Sequence, residues 1–176
     1  MISALPDYQG GKGRHRCIHL AYQAGLASGI SAVALDRYTN EIRAIDATEA
    51  IAECKIRIGQ NVFRDLLMTH WSARCPLTGI TDGSLLRASH IKSWAICETD
   101  EERLDVNNGI LLSSMWDAAF DAGLVSFRDD GHIMISSKLS QQALNSLNFE
   151  PSLRIEFSAQ HFPYLDWHRK NRFQAD

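Results

Sequence analysis

Four polar side chains stand where a hydrolytic site could form: His90, Asn108, Asp117 and Asp121. The apolar pattern around them predicts a strand that His90 closes, a loop, a second strand that Asn108 opens, and a helix. The two aspartates are four residues apart, so both carboxylates project from one helical face. Such a pair attracts a hard divalent cation such as Mg²⁺ or Mn²⁺. On spacing alone, a solvated helix face or a charge bias at a helix N-terminus stays an alternative.

The elements that must position these residues follow from local periodicity. Apolar residues recur every three to four positions from Thr48 to about Trp71, which predicts a helix that Gly59 weakens in the middle. Short apolar runs predict strands over Leu85–His90 and Gly109–Leu112. Ser113 is a suitable N-cap for a helix over 114–122, and Gly123 a suitable stop.

The predictions for the remaining segments come from less regular sequence patterns. The acidic run Glu98–Asp105 is typical of a solvated loop. A turn at Arg128–Gly131 predicts a hairpin of Leu124–Phe127 with His132–Ser136. Residues Tyr164–Arg169 predict a short helix packed on the domain.

Composition restricts the class of protein. The 176 residues are 45% hydrophobic and 22% charged, as in a globular domain, which excludes wholesale disorder. No apolar run reaches the roughly 20 residues of a membrane span, and the first residues lack a signal-peptide pattern. We therefore expect a soluble, cytoplasmic protein with no membrane partner. The net charge of −3 excludes a broadly basic nucleic-acid coat but allows a focused nucleic-acid site.

The cysteines and the first 47 residues carry weaker indications. Cys17, Cys54, Cys75 and Cys97 form no C-x-x-C pair, so we expect free thiols, with Cys75 in the core, and no structural zinc. Residues 1–47 predict a small module with a basic glycine-rich arm, a helix and a hairpin over Ala32–Ile45. Its His15, Cys17 and His19 lack the fourth ligand of a closed metal site.

Six ordered blocks of this sequence resemble the HNH endonucleases, most closely the bacterial type found in restriction enzymes and their solitary relatives. The resemblance covers about Arg57 to Phe173, and its blocks are RIGQNVFR (57–64), RCPLTG (74–79), LLRASHIKSW (85–94), NGILL (108–112), FDAGL (120–124) and WHR (167–169). It implies an α+β fold, namely a ββα-metal nuclease core with an extra hairpin and helices, over residues 48–176.

The resemblance also implies roles for the polar residues. His90 matches the general base, and Asn108 the asparagine that holds it across the loop, unless Asn108 only forms an ordinary turn with Gly109. Asp117 stands where the family places a metal ligand on the helix. Asp121 stands where some members have a second ligand, or else it braces the turn before Gly123.

Two departures from the family pattern concern the metal. The last motif position is Asp117 rather than histidine, and Ser89 precedes His90 where many members have an aspartate or histidine ligand. A carboxylate still binds hard cations, so we expect one divalent ion, Mg²⁺ first and Mn²⁺ or Ni²⁺ as alternatives.

Several cations could hold phosphates around such a site. We expect phosphate contacts from Arg87 and Lys92, which flank His90, and from Arg169 in the last block. Arg57 and Arg64 are expected on a helix surface, and His168 is expected to pack.

These features together predict a metal-dependent DNA endonuclease of the restriction or defence type. A homodimer is plausible because two cuts in a duplex need two sites. Two alternatives stay open: an inactive HNH-fold DNA-binding protein, and an RNA-directed or toxin-type nuclease.

Overall fold

The computed structural model describes residues 49–175, with side chains from residue 56 onward. The predicted N-terminal module, including His15, Cys17 and His19, lies outside the described residues. The boundary at residue 47 therefore stays a prediction.

The long helix α1 spans Glu49–His70, within one residue of its predicted bounds at each end. Its apolar stripe forms one wall of the core and consists of buried Val62, Phe63, Leu66 and Leu67. The helix ends before Ser72 and Ala73, which adopt left-handed φ values of 53° and 49° and turn the chain towards buried Cys75.

A two-stranded antiparallel ribbon packs on this stripe. Strand β1 spans Leu86–His90 and strand β2 spans Gly109–Ser113, and His90 lies opposite Gly109 at the end of the ribbon. Helix α3, Ser114–Asp121, follows β2 directly with Ser113 as its N-cap residue, although the Ser113 side chain makes no capping hydrogen bond. The strand, strand and helix predictions are confirmed here, as is the stop at Gly123, whose φ is 69°.

The prediction of a solvated acidic loop over 98–105 is wrong. Helix α2 spans Asp100–Leu104, with Thr99 as its N-cap, and a 3₁₀ turn over Val106–Asn108 leads into β2. Three acids in the first turn of α2 suit the positive end of the helix dipole. Leu104 is buried, so the segment is folded against the core rather than solvated.

The second half of the domain covers the other side of α3. Strands β3, Val125–Phe127, and β4, Ile133–Ile135, form the predicted hairpin. A short helix α4, Gln141–Ser146, was not predicted, and the terminal helix α5 spans Phe162–Asn171. On α5, His168 packs as predicted: it is 2% exposed and stacks on Phe120 at 4.0 Å between ring centroids.

The described residues form an α+β domain with one hydrophobic core. That core joins α1, the ribbon, α3, the second hairpin and α5, through residues such as Leu67, Ile110, Trp116, Phe127 and Leu165. Within residues 49–175, no helix is long and apolar enough to cross a membrane.

Gly59, in the middle of α1, makes room for Trp94. A Cβ atom at this position would lie 2.3 Å from Cη2 of the Trp94 indole. Trp94 in turn contacts the His90 ring edge-on, at 5.6 Å between centroids. Gly59, which weakens the helix pattern, therefore leaves space for the Trp94 ring, and that ring contacts the predicted site residue His90.

Gly59→Ala tests this close packing of Trp94 on Gly59. In an ordinary helix the change would stabilise by about 1 kcal/mol, because alanine has the higher helix propensity. Here we expect a net loss of about 1–2 kcal/mol, because the indole must move out of a packed position. Urea unfolding of this variant beside Gln60→Ala, on an exposed neighbour, measures the difference. A gain in stability would mean that Trp94 is not seated on Gly59.

Candidate active site

The ribbon separates the predicted site residues onto two faces, because side chains alternate along a strand. Arg87 and Ser89 lie on the face that α3 covers. Ala88 and His90 lie on the other face, towards α1. His90 lies at the end of the ribbon, where it pairs with Gly109.

His90 is held by aromatic rings and one backbone atom. Its ring stacks on Phe63 of α1, with 3.7 Å between centroids, and meets Trp94 edge-on. Gly109 makes the stack possible, because a Cβ there would lie 2.5 Å from Cζ of Phe63. The Nε2 atom of His90 is 2.9 Å from the carbonyl oxygen of Arg103.

The Arg103 contact selects the tautomer of His90. A carbonyl oxygen only accepts, so Nε2 carries the proton and Nδ1 keeps its lone pair. Burial lowers the pKa of His90 to about 4, although the hydrogen bond to Arg103 acts in the opposite direction. The imidazole is therefore neutral at pH 7, which is the state that a general base requires.

Asn108 lies at the centre of the loop that holds His90. It is fully buried, and its Oδ1 accepts a hydrogen bond of 2.7 Å from the backbone N–H of Lys92. Its Nδ2 donates to the carbonyl oxygens of Lys92, at 3.1 Å, and Glu102, at 3.0 Å. One amide thus joins the start of the loop, helix α2 and the start of β2, which is more than an ordinary Asn-Gly turn requires.

On the other face, Ser89 and Asp117 join the ribbon to α3. The buried Ser89 hydroxyl donates a hydrogen bond to Oδ1 of Asp117. These residues are 28 positions apart, and they occupy the two motif positions at which the sequence departs from the family pattern. The contact brings the helix carboxylate beside the residue that precedes His90.

Asp121 is the last residue of α3, one turn beyond Asp117; the residue is exposed overall, but its carboxyl group is partly buried. Burial of its carboxyl group and the neighbouring Asp117 carboxylate raise the pKa of Asp121, while Arg172 acts in the opposite direction. The two carboxylates therefore repel each other, which a bound cation would relieve. Arg172 also donates to the Asp121 carbonyl oxygen at 2.7 Å.

The carboxylate oxygen atoms of α3 are the candidate metal ligands. Asp117 and Asp121 supply carboxylates, the donor type that Mg²⁺ prefers. Among the described residues, no three His, Cys, Asp or Glu side chains converge on one point. Such a site would leave several coordination positions to water or substrate oxygens, as Mg²⁺ sites commonly do.

The three predicted phosphate contacts have different environments. Arg87 is exposed, and its guanidinium donates to the carbonyl oxygens of Ser84 and Leu86. Lys92 is paired with Glu102 at 2.9 Å. Arg169 donates to the Phe127 carbonyl oxygen at 2.9 Å and pairs with Asp129, so it ties α5 to the second hairpin. Lys92 follows the ribbon end by two residues, whereas Arg87 lies near the start of β1, opposite Leu112, and Arg169 lies on α5.

Sequence reasoning missed two arginines that build this site. Arg103 supplies the carbonyl oxygen that His90 contacts, and its guanidinium donates to the carbonyl oxygens of Trp94 and Cys97. Arg64, expected on a helix surface, instead donates to the carbonyl oxygens of Gly83, at 2.6 Å, and Leu86, at 2.8 Å. Its position between buried Phe63 and Leu66 offered no local indication of this reach.

Comparison with known protein families identifies the central part of the domain. Residues 75–128 match the family described as HNH endonuclease. The matched segment runs from the turn after α1 to the end of β3 and contains His90, Asn108, Asp117 and Asp121. The resemblance is confirmed for this segment, whereas the blocks before and after it lie outside the match. A comparison with curated proteins finds no match.

Asn108→Ala tests how far the loop depends on one amide. Its loss leaves the Lys92 N–H and the Glu102 carbonyl oxygen without their partner in a buried place, so we expect a loss of about 2–4 kcal/mol of stability. The matched control is Asn107→Ala, on the same 3₁₀ turn but only half-buried, for which we expect about 1 kcal/mol. Chemical denaturation measures both, and equal effects would contradict the bridging role.

Proposed function

From the membership of residues 75–128 in the HNH endonuclease family, we propose that this protein is a divalent-metal-dependent DNA endonuclease. The observation that carries the proposal is the hydrogen bond from Ser89 to Asp117. It holds a helix carboxylate beside the strand end at which His90 stands. We infer that β1, β2 and α3 together are the ββα-metal core of the family.

The donor set fits a hard divalent cation. Asp117 and Asp121 would hold it, because their carboxylates repel each other and suit Mg²⁺ or Mn²⁺ better than a softer metal. When bound there, such an ion supplies positive charge that stabilises the developing charge on phosphate and leaving-group oxygens. Ser89 fixes the rotamer of Asp117 through its hydrogen bond, so the carboxylate is positioned in advance.

His90 is the proposed general base, and Nδ1 is the atom that would accept the proton of the attacking water. The Arg103 carbonyl oxygen fixes the tautomer, and the rings of Phe63 and Trp94 fix the plane of the imidazole. Asn108 holds the loop that carries Arg103. The phosphodiester would lie across the ribbon end, because His90 stands there and the adjacent Ser89 holds Asp117 beside it.

Phosphate binding would draw on Arg87, near the start of β1, and on Lys92, two residues beyond the ribbon end. Arg87 is exposed on the Asp117 face of β1 and can reach a backbone phosphate without breaking an ion pair. Lys92 would first exchange Glu102 for phosphate. Such contacts fix the register on DNA and carry no sequence information. A restriction or defence role and a homodimer, in which each copy cuts one strand, belong to the same proposal.

A second candidate is a DNA-binding protein that keeps this fold without cleaving. One observation favours it: within the described residues, no group of three His, Cys, Asp or Glu side chains could hold a metal ion. Digestion of supercoiled plasmid by the purified protein, with Mg²⁺, Mn²⁺, Ni²⁺ or EDTA, separates the candidates. Nicking that EDTA abolishes supports the endonuclease. A parallel digestion of RNA tests the RNA-directed alternative, which faster RNA cleavage would favour.

His90→Ala should lower plasmid cleavage by about 10²–10⁴-fold, the usual contribution of a positioned general base. The variant also loses the stack on Phe63, so thermal unfolding and DNA binding are measured with the cleavage rate. The control is His132→Ala, on the exposed turn between β3 and β4, which should cleave like the unchanged protein. Cleavage at a tenth of the original rate or better would remove His90 from this role.

Asp117→Ala should weaken Mg²⁺ binding more than Asp121→Ala, because Asp117 is held beside the strand end and Asp121 is exposed. High Mn²⁺ should restore part of the activity of either variant. Asp117→His should shift the preference towards Ni²⁺ or Zn²⁺, since imidazole suits them better than it suits Mg²⁺.

Calorimetric titration with each metal compares these three variants. Asp82→Ala serves as the control, because Asp82 is an exposed aspartate outside the site. If Asp117→Ala binds Mg²⁺ as tightly as the unchanged protein, the ligand assignment fails and the non-cleaving candidate is favoured.

A further inference from the structure

A cavity of about 550 Å³ lies between the end of α1 and the segment that precedes α5. This volume is in the range of small-molecule pockets, about 300–1,000 Å³. None of its lining residues is among those proposed to cleave. They are His70, Trp71, Pro76, Arg154, Ile155, Glu156, Ser158 and His161.

Two polar ring atoms in the cavity wall have no partner among the described residues: Nε1 of Trp71 and Nε2 of His161. His161 is only 2% exposed. The Ser158 hydroxyl donates to Oδ1 of Asn107, so Nδ1 of His161, 2.9 Å from that hydroxyl, carries its own proton and donates. Nε2 of His161 is then an acceptor. The wall therefore holds one spare donor and one spare acceptor, and a buried polar atom without a partner is costly.

The cavity has aromatic walls and little net charge. Trp71 lies within 6.1 Å of His161 and 5.4 Å of His70 between ring centroids. Burial lowers the pKa of His161 to about 4, so that ring is neutral at pH 7. At the rim, Arg154 and Glu156 carry opposite charges. The Asp105 carboxylate lies close enough to raise the pKa of both imidazoles, which disfavours a free anion in the cavity. A flat, uncharged ring with both donors and acceptors is matched.

We propose that this cavity binds a nucleobase turned out of a DNA strand. Enzymes that extrude a base hold it by stacking on aromatic side chains and by hydrogen bonds to its edge. Trp71 and the exposed His70 supply the stacking surfaces, and the unpartnered ring nitrogens of Trp71 and His161 supply a donor and an acceptor for a base edge. This inference depends on the proposed function in one respect, namely that DNA is the source of the base. The chemistry of the cavity does not depend on it.

The distance from the proposed active site suits a DNA strand. His70 is seven residues beyond Phe63 on α1, which places it about 10 Å along the helix from the ring that stacks on His90. That length corresponds to about three nucleotides of B-form strand. The cavity is also tied to the loop of the active site, since Ser158 donates to Asn107 and the Tyr164 hydroxyl donates to Asp105 at 2.9 Å.

The first experiment uses the full chain in EDTA and duplexes that carry 2-aminopurine at successive positions. An extruded base loses its stacking partners, so fluorescence should rise at one position about three nucleotides from the cleavage site. His70→Ala and Trp71→Ala should abolish this rise and weaken binding about tenfold, in line with the loss of a base–aromatic stack. Trp167→Ala, at a half-buried tryptophan outside the cavity, is the control.

A second arm uses free nucleosides at millimolar concentration and follows the imidazole resonances of His70 and His161 by NMR. Shifts that Trp71→Phe reduces support the nucleobase cavity even if DNA is not its source. His70 is exposed, so His70→Ala stays interpretable if Trp71→Ala unfolds.

The outcomes separate this inference from the proposed function. No fluorescence rise at any position, together with no nucleoside shifts, overturns the nucleobase cavity whether or not plasmid is cleaved. Nucleoside binding without cleavage by the unchanged protein overturns the endonuclease and keeps the cavity.

Discussion

The buried amide of Asn108 holds together the segments on which the proposed active site depends. It bonds to the backbone at Lys92 and Glu102, and Asn108 is the last residue of the 3₁₀ turn that leads into β2. The Arg103 carbonyl oxygen that His90 contacts follows directly after Glu102. An amide suits this position because it donates and accepts at once, and a buried peptide group without a partner is costly.

The two-stranded ribbon imposes the second constraint. Alternation along β1 sends Ser89 to the α3 face and His90 to the α1 face, so one strand end presents an oxygen donor and an imidazole in opposite directions. Each residue is then held by a different helix, Ser89 by Asp117 and His90 by Phe63. A substrate that meets both must lie across the end of the ribbon rather than on either face.

Charge and burial divide the domain into two kinds of polar surface. On α3 the carboxylates of Asp117 and Asp121 repel each other, which favours a cation. Around His161 the rings are neutral and the rim charges are opposed, which favours a planar uncharged ligand. The turn that carries Asn107 and Asn108 contacts the cavity through Ser158 and leads into β2 at the ribbon end, so a ligand in the cavity and a phosphodiester at the ribbon end would share one support.

The sequence by itself determined the elements whose signal is local. The apolar periodicity of α1, the runs of β1 and β2 and the stop at Gly123 predicted their positions within a residue or two, and the ordered motifs predicted the HNH family. Tertiary structure decided the contacts between distant residues. Arg64 reaches Leu86, 22 residues away, and Gly59 leaves space for the Trp94 ring. Glu102, in a segment whose acidic composition had predicted a loop, lies in a helix and pairs with Lys92. Local propensity describes each segment in isolation, whereas these contacts arise only when packing brings separate segments together.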